Sequence, residues 1–400
     1  MIVKKGIEVR LYPTKAQANM INKNIGAARV AYNAMLYRKQ KHYEETKKSL
    51  PIKVSDLFDE FPWMKDVDSQ CLSNAYMNLN SAYNNWFNSL KRKTKQNSKF
   101  PKFKKKSHSG SYTNSMPPRK TERLFRDGKI FIPLLKLVNY RNDGIDFSKI
   151  KRIRNLTIKR TNTNKYFCSI CCDYEVNELE HTGVAVGLDL GIKDLIITSD
   201  GQKFENKKFF KNSEKKIKHL QRNLSRKQKG SKNYEKARLK LAIAYEKLSN
   251  RRKDYIQKLT TKLVKDYSVI CIEDLNVTGM LKNHKLAKSI ADCSFSMIRG
   301  ILNYKCRWYD RKLIIIDRWE PTSKTCSNCG YIMKDFNLGI RKWMCPSCGT
   351  KHDRDINAAK NILNKGLNTV GMTEIYACGE RSSISEMKCS CSEKQENQII

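Results

Sequence analysis

The sequence predicts a multidomain α+β protein with an α/β core in its C-terminal half. Alternating apolar residues near the N terminus and between about residues 128 and 174 indicate an antiparallel β-domain. After about residue 180, buried strands alternate with amphipathic helices, as they do in α/β folds. Two cysteine pairs interrupt this second pattern and indicate an inserted metal-binding module. A chain of 400 residues is too long for one compact core, so two or three domains are expected.

The charge of the chain indicates a polyanionic partner. There are 79 Lys and Arg residues against 39 Asp and Glu residues, which gives a formal net charge of +40. This excess is larger than solubility requires, and its sign attracts phosphate-rich molecules. Nucleic acid is therefore the first candidate partner.

A membrane partner is not expected. No run of 18 or more apolar residues occurs, and Met1 is followed by a strand-like alternation instead of an apolar leader. We find neither an amphipathic helix with a clean apolar face nor a lipid-anchor site, so a basic membrane-surface protein is the weaker alternative. The sequence predicts a cytoplasmic prokaryotic protein, associated with the nucleoid when bound. In a reducing compartment, 14 cysteines favour metal binding or burial over disulfides.

The N-terminal third combines one strand with two helices. Ile7, Val9 and Leu11 alternate with charged residues and predict a half-buried strand. Thr14 and Gln17 have the capping-box spacing, which predicts the start of a helix. A second helix is predicted from about residue 68, with an apolar stripe that we interpret as core. The stripe consists of Leu72, Leu79, Tyr83, Trp86 and Leu90.

The β-rich segment that follows is expected to close a small barrel with the N-terminal strand. Cys168 and Cys171 have the spacing of metal ligands. They lie inside the last predicted strand, however, with no second cysteine pair nearby. We therefore interpret both residues as buried thiols.

A basic segment runs from Lys91 to Lys106, with nine basic residues, no acidic residue, and Phe100 and Phe103 between the lysines. A solvated loop is the usual interpretation of such a charge run. Aromatic rings between lysines also suit single-stranded RNA or DNA, whose bases can stack on them. The global charge favours this second interpretation. The candidate contacts are Lys102, Lys104 and Lys105.

Acidic residues end two buried strands and open the last predicted helix. Asp189 ends the apolar run 184–188, Glu273 ends the run 269–272, and Asp355 lies in the first turn of a short helix. A strand hairpin, a third strand, and then alternating helices and strands form the element order of an RNase H-like fold. In that arrangement, acids at these three positions meet in one cleft.

The chemistry of such a cleft requires cations. Carboxylates placed together repel one another, and their meeting becomes favourable only when hard divalent ions such as Mg²⁺ lie between them. Two such ions can activate a water molecule for attack on a phosphodiester and stabilise the departing 3′ oxygen. We therefore expect Asp189, Glu273 and Asp355 to be catalytic residues and ligands of two magnesium ions.

Two neighbouring acids are alternative candidates. Asp274 follows Glu273 directly and should face the other side of its strand. Asp353 lies two residues before Asp355 and could cap the helix instead. A single Asp after a strand is usually a turn residue. Only the three acids taken together support the hypothesis of a catalytic metal site.

Two C-x₂-C pairs separated by 15 residues give the most specific local signal, and each pair is followed by a glycine. Four thiolates at this spacing complete a closed tetrahedral Zn²⁺ site with no open position for catalysis. The ligands are expected to be Cys326, Cys329, Cys345 and Cys348. A redox pair or a chance arrangement is the alternative. The resulting zinc ribbon would be inserted just before the helix that carries Asp355.

The segment from Asn206 to Lys258 contains 19 basic and 4 acidic residues, in a helical pattern broken near Gly230. It predicts two helices or a helical hairpin that projects from the core. Solvated helices usually mix both charge signs, and this excess would repel itself without a partner. A phosphate backbone is the natural partner. The candidate contacts are Arg222, Arg226 and Lys227.

Four segments of the C-terminal half form a set: Gly187–Lys193, Ile272–Asn276, Thr325–Gly330 and Asp353–Ile362. Together they closely resemble the motifs of TnpB proteins, the transposon-encoded relatives of type V CRISPR effectors. The resemblance extends over nearly the whole chain, more weakly, through Arg10–Thr14, Phe100–Lys104 and Ala377–Gly379.

The resemblance implies binding of a guide RNA derived from the transposon end. It also implies recognition of a short motif beside the target and cleavage of both strands of double-stranded DNA by a RuvC domain. Asp189, Glu273 and Asp355 match the family's catalytic acids, in agreement with the choice made from the residues. One protein chain per RNA is expected.

The resemblance also divides the chain into domains. Residues 1–12 and 115–180 would form a wedge-like barrel, and 13–114 a helical recognition lobe with the basic loop. Residues 181–322 and 351–378 would form the RuvC nuclease, with the basic helical arm at 206–267 and the zinc ribbon at 323–350. The tail, 379–400, matches no pattern and is expected to be disordered.

Two other functions remain open at this point. A DDE-type transposase shares the RNase H fold and would bind transposon ends without RNA. A nucleic-acid-binding regulator would have an idle cleft, as in TnpB relatives that lack the acids, whereas all three acidic positions are filled here. Cleavage of specific DNA ends by the protein without RNA would favour the transposase. Unchanged activity of Asp189→Ala on target DNA would favour the regulator.

Overall fold

The computed structural model describes residues 1–91, 98–334, 339–369 and 371. The chain divides into two compact units, one formed by Met1–Val176 with Gly230–Ile243 and one by Asn177–Lys229 with Ala244–Ile400. Part of the basic segment (92–97), the motif Ala377–Gly379 and the predicted tail lie outside the described residues. No described helix combines the length and apolar character needed to span a membrane.

The first unit contains a seven-stranded antiparallel sheet and two long helices. Its strands are β1 (Ile2–Tyr12), β2 (Gly110–Asn114), β3 (Phe125–Arg126), β4 (Lys129–Ile132), β5 (Lys136–Arg141), β6 (Ile150–Arg160) and β7 (Tyr166–Glu175). Its helices are α1 (Lys15–Thr46), α2 (Ser69–Lys91) and the short α3 (Thr121–Leu124). The strand order is β2-β6-β7-β1-β5-β4-β3, so the N-terminal strand lies inside the sheet and pairs with β7 and β5.

This sheet differs from the prediction in two respects. Among the described residues no pairing joins β2 to β3, so the expected closed barrel is an open half-barrel sheet. Strand β2 also lies inside the segment 13–114 that was predicted to be helical, and it pairs with β6. The domain boundaries taken from the family resemblance stay a prediction.

The predicted start of α1 is confirmed. The Thr14 hydroxyl accepts the backbone N–H of Gln17 at 3.3 Å, and the Gln17 side chain accepts the backbone N–H of Thr14 at 3.0 Å. In α2 the apolar stripe is core only over its first turns. Leu72 and Leu79 are buried, whereas Leu90 is 55% exposed, so the core interpretation is wrong for the end of this helix.

The cysteines of β7 are only partly as predicted. Cys168 is fully buried, and this burial raises the pKa of its thiol to about 12. Cys171 is half-buried. The two residues are three positions apart, an odd number, so their side chains point to opposite faces of the strand.

The second unit is built on a five-stranded mixed sheet. Its strands are β8 (Ala185–Asp189), β9 (Asp194–Thr198), β10 (Lys203–Glu205), β11 (Val269–Glu273) and β12 (Lys312–Ile316), with the small hairpin β13 (Lys342–Met344) and β14 (Lys351–Asp353). Its helices are α4 (Phe209–Ser225), α5 (Lys232–Asp266, which begins in the first unit's segment), α6 (Val277–Met280), α7 (Ala287–Cys293), α8 (Phe295–Trp308) and α9 (Arg354–Thr369). The main sheet has the order β10-β9-β8-β11-β12. The predicted hairpin, buried strands and two basic helices broken at Gly230 are present.

The two faces of this sheet pack against different helices. Even-numbered residues such as Leu188, Ile270 and Ile272 pack with the cluster that includes α5 and α8. Odd-numbered residues such as Val269 and Cys271 pack with α9 instead. By the alternation of a strand, the residues that follow at 189 and 273 belong to the α9 face.

Close packing of α9 on β8 occurs at Gly187. A Cβ atom there would lie 2.7 Å from the backbone nitrogen of Leu363 and would collide with the carbonyl oxygen of Ala359. Asp355 precedes Ala359 by four helical residues, about 6 Å, and Asp189 follows Gly187 by two strand residues, about 6.6 Å. This contact therefore places Asp355, at the start of α9, beside Asp189, at the end of β8.

We expect Gly187→Ala to lower the free energy of unfolding by about 3 kcal/mol, because neither backbone can retreat without unpacking α9. Urea denaturation measures this change. Gly6→Ala is the matched control, since a Cβ at Gly6 meets only the Ser169 hydroxyl, at 3.9 Å. Equal stability of the two variants would show that α9 does not rest on β8 at this point.

Candidate active site and zinc centre

The structure brings Asp189, Glu273 and Asp355 to one edge of the main sheet. Strands β8 and β11 are parallel, with Leu188 beside Ile272, so Asp189 and Glu273 follow at neighbouring strand ends. Burial, together with the negative charges of Glu273 and Asp355, raises the pKa of Asp189 to about 7. The charges of Glu273 and Asp355 both act on Asp189, so the three carboxyl groups lie near one another.

Each of the other two acids has a specific partner. The Thr322 hydroxyl donates a hydrogen bond to Glu273 Oε1 at 2.6 Å, while burial raises the pKa of Glu273. Asp355 is paired with two guanidinium groups: Arg341 Nη1 lies 3.0 Å from Oδ2, and Arg354 Nη2 lies 2.9 Å from Oδ1. The negative charge of Asp355 is therefore compensated by arginines of its own neighbourhood.

Among the residues that the structure describes, the four cysteines are the one group with three or more potential metal-ligand atoms within 4.8 Å of one another. The three carboxylates are thus gathered but not in mutual ligand contact. Their oxygens are the ligands that hard divalent cations prefer, and the raised pKa of Asp189 is the response that a nearby cation would reverse. The acids fit such an ion, provided that Asp355 gives up part of its pairing with the arginines.

The alternative acids have other partners. Asp274 pairs with Arg299 and Arg318, which together lower its pKa through hydrogen bonds and charge. Asp353 accepts the backbone N–H of Asp355 at 3.1 Å and therefore caps α9, as considered from the sequence. Neither acid is among the main causes of the raised pKa of Asp189.

Sequence analysis missed three residues of this site: Thr322, Arg341 and Arg354. Thr322 and Arg341 lie in irregular segments, where no periodicity assigns a direction to a side chain. Arg354 is adjacent to Asp355 in the sequence, but adjacent residues in a helix do not share a face, and the pairing depends on the length of the arginine side chain.

The four predicted cysteine ligands form one cluster. Cys326 Sγ lies 3.7 Å from Cys348 Sγ, and Cys329 Sγ lies 3.6 Å from Cys345 Sγ. A tetrahedron with metal–sulfur bonds of about 2.3 Å has edges of about 3.8 Å, whereas a disulfide would bring two sulfurs to about 2.05 Å. The cluster therefore fits a structural zinc site.

The two knuckles of this ribbon depend on glycine. Gly330 and Gly349 have φ values of +78° and +68°, in the left-handed region that favours glycine. Their N–H groups close tight turns on the carbonyl oxygens of Cys326 and Cys345, at 2.9 Å each. Hydrogen bonds from Thr350 lower the pKa of Cys348, which favours the thiolate that binds metal.

Two asparagines of α9 attach the ribbon to the helix that carries the third acid. Asn357 accepts the Ser327 N–H at 2.9 Å and donates to the Thr325 carbonyl at 2.7 Å. Asn361, one turn later on the same face, donates to the carbonyls of Thr322 and Thr325 at 2.7 and 2.6 Å. These bonds tie α9 both to the ribbon and to Thr322, the residue before the ribbon that contacts Glu273.

The six predicted nucleic-acid contacts are all exposed, but Lys104 also has partners within the first unit. Lys102 and Lys105 are exposed. Lys104 is engaged within the first unit: its backbone N–H donates to Asn33 at 2.8 Å, its ammonium lies 4.0 Å from the centre of the Tyr32 ring, and burial lowers its pKa. In the second unit the three predicted contacts at the end of α4 are all exposed. These are Arg222, Arg226 and Lys227.

We expect Cys345→Ser to lose bound zinc and to lower the thermal stability of the second unit, because one ligand of a closed site is removed. Atomic absorption of the purified protein gives the zinc content per chain. Cys171→Ser in β7 is the matched control and should keep its zinc. Full zinc content in Cys345→Ser would contradict the four-cysteine site.

Three family models match the chain. Residues 1–48 match a model described as "Helix-turn-helix domain", 169–284 one described as "Probable transposase", and 295–362 one described as "Cas12f1-like, TNB domain". The first of these segments forms strand β1 and the single helix α1 in the structure. The third contains the ribbon and most of α9.

Relatives match over most of the chain. The "Putative RNA-guided DNA endonuclease" of Streptomyces pristinaespiralis is 35% identical, with 94% of this chain and 92% of the relative covered. The "Putative RNA-guided DNA endonuclease InsQ" of Escherichia coli K12 is 30% identical, with 94% of each covered. The "TnpB-like protein L79" of Acanthamoeba polyphaga mimivirus is 32% identical over 48% of this chain and 39% of its own length.

A solved Cas12f1–sgRNA–target DNA complex is similar at 13% identity and a TM-score of 0.48, with 91% of this chain and 99% of that chain covered. A likeness of that size carries no argument about function. The first two relatives, by contrast, match nearly the whole chain at 30% identity or more. The chain therefore belongs to the TnpB family.

Proposed function

We propose that this protein is an RNA-guided DNA endonuclease. In this proposal it binds a guide RNA derived from the transposon end, recognises a short motif beside the target, and cleaves both strands of double-stranded DNA. The observation that carries the proposal is the meeting of Asp189, Glu273 and Asp355 at one sheet edge, in a chain whose full-length relatives are named as RNA-guided DNA endonucleases.

The second unit is the proposed RuvC-type, RNase H-like nuclease. Its sheet order, with β8 antiparallel to β9 and parallel to β11, supports this assignment. Strand ends and the first turn of α9 supply the three acids in the arrangement expected for that fold. The half-barrel sheet and long helices of the first unit are the proposed wedge and recognition regions.

Asp189, Glu273 and Asp355 are the proposed ligands of two magnesium ions. When bound, such ions supply activation of water and charge compensation at the departing 3′ oxygen. The protein's own residues prepare the site. The Thr322 hydroxyl fixes one oxygen of Glu273. The packing at Gly187 sets the position of Asp355 relative to the ends of the strands. Arg341 and Arg354 lie where they can also contact a phosphate when they leave Asp355.

The positive surfaces supply the proposed contacts to nucleic acid. The exposed basic residues at the end of α4 and in the basic segment of the first unit match a phosphate backbone in sign. A single chain with its RNA is the proposed functional form, acting on target DNA.

The alternatives have less support. One matching model is described as a transposase, but the relatives that match the whole chain are named as endonucleases guided by RNA. A regulator with an idle cleft would not need to keep three acids together in a site where burial and their mutual repulsion raise the pKa of Asp189.

Asp189→Asn, Glu273→Gln and Asp355→Asn should each lower the rate of guided cleavage at least about 100-fold, because each removes one anionic ligand. Cleavage of a plasmid target by the protein copurified with its RNA measures this rate. Retention of bound RNA shows that each variant is folded. Asp254→Asn, which removes an exposed acid paired with Lys258, is the matched control. Normal cleavage by Asp189→Asn would exclude this active site, and specific cleavage by protein without RNA would favour the transposase.

Replacing Arg222, Arg226 and Lys227 together by alanine should weaken RNA binding and flatten its salt dependence. Each lost single-strand phosphate contact lowers the slope of log affinity against log salt by about 0.7, so a decrease of about 2 is expected. Filter binding between 50 and 300 mM salt, about the range in which such slopes are measured, gives the slope. The matched control replaces Lys218, Lys258 and Lys262, which are each paired with an acid one turn away. Equal slopes for both triple variants would remove the end of α4 from the RNA interface.

A further inference from the structure

A cavity of about 270 Å³ opens beside Glu273 in the second unit. We call it the α8 cavity, because one side is formed by helix α8 and the other by residues that follow β8 and β11. Its volume is near the lower end for small-molecule sites, so it suits one small group and not a duplex. None of the roles described above uses it.

The wall of the α8 cavity has an apolar part and a polar part. Leu190, Leu275 and Val277 contribute apolar surface and pack against the core cluster of the sheet. The exposed face of α8 contributes Ser296 and Asn303, which are hydrogen-bonding side chains. A nucleoside has the same division, with apolar base faces and polar atoms at the edges of base and sugar.

The same wall contains a positively charged side chain, that of Arg299. The Arg299 guanidinium is paired with Asp274, whose other oxygen is paired with Arg318. A guanidinium has five N–H donors, so the contact with Asp274 fixes its position without using all of them. Arg299 can therefore contact a phosphate while it stays in place.

We propose that the α8 cavity holds one nucleoside of the DNA strand being cut, the one joined directly to the scissile phosphate. The proposal rests on the proposed function, because it places the substrate of that same acid cluster. Glu273 lines the cavity and belongs to the cluster, so an occupant of the cavity is adjacent to the reacting phosphate. Apolar stacking tolerates every base, so the cavity positions the strand without reading its sequence.

Substitution of Gly300 can fill the cavity without steric clashes. Gly300 lies on the exposed face of α8 and lines the cavity, and a Cβ built on it meets no atom within 4 Å. Larger side chains at this position therefore enter open space. Any of them also favours a helix more than glycine does, so loss of folding is not expected.

The first test is the series Gly300→Ala, Gly300→Leu and Gly300→Phe in the complex with copurified RNA. The rate of guided cleavage should fall in that order, by less than about threefold for alanine and at least about tenfold for phenylalanine, the size of one lost base-stacking contact. Thermal stability and RNA binding should not fall. A phenylalanine variant that cuts at the wild-type rate would overturn the proposal, while the proposed function would stand.

The second test locates the occupant. Single abasic sites are placed at each of the positions flanking the cut in the target strand. One position should slow the wild-type protein and have no effect on Gly300→Phe, because both changes remove the same contact. Independent effects at every position would mean that the cavity holds water or a protein segment instead.

A binding measurement tests whether the cavity is occupied, independently of cleavage. In Asp189→Asn complexes, 2-aminopurine at the sensitive position should emit more strongly, because the base leaves its stacked neighbours for the apolar wall of Leu190, Leu275 and Val277. The additional change Gly300→Phe should abolish this gain. A gain in emission without cleavage by the wild type would contradict the proposed function and keep the cavity. Cleavage by the wild type without a gain at any flanking position would contradict the cavity alone.

Discussion

Contact between helix α9 and strand β8 is the constraint on which the proposed active site depends. Three carboxyl groups repel one another, and the pKa of Asp189 is raised first by burial and then by this repulsion. The acids stay together because Gly187 lets the helix backbone rest directly on the strand. A side chain at this position would lift the start of α9, and Asp355 with it, away from the strand ends. The site is thus held by packing that does not involve the acids themselves.

The zinc ribbon extends this constraint. It is inserted between β12 and α9, yet it does more than connect them, since Asn357 and Asn361 bind its backbone to the helix. Thr322, which precedes the first knuckle, contacts Glu273, and Arg341, which precedes β13, contacts Asp355. The ribbon therefore contacts Asp355 through Arg341, and the residue just before the ribbon contacts Glu273. A shift of the ribbon would change both contacts.

The sequence predicted those features that local chemistry determines. Strand alternation distinguished Glu273 from Asp274, the capping box located the start of α1, and cysteine spacing located the ribbon. It did not predict features set by distant pairings. Leu90 fits an apolar stripe but lies beyond the core, and barrel closure depends on whether strands at opposite sheet edges meet. Arg341 could not be assigned to Asp355, because no periodic pattern gives the direction of a side chain in an irregular segment.

In the proposed active form the three acids share divalent ions once Asp355 leaves its arginines. Anomalous scattering from crystals of the protein–RNA complex grown with manganese tests this most directly. We expect manganese peaks within bonding distance of carboxylate oxygens from Asp189, Glu273 and Asp355. An active protein whose crystals bind no manganese there, with Asp355 still paired to Arg341 and Arg354, would contradict this proposal.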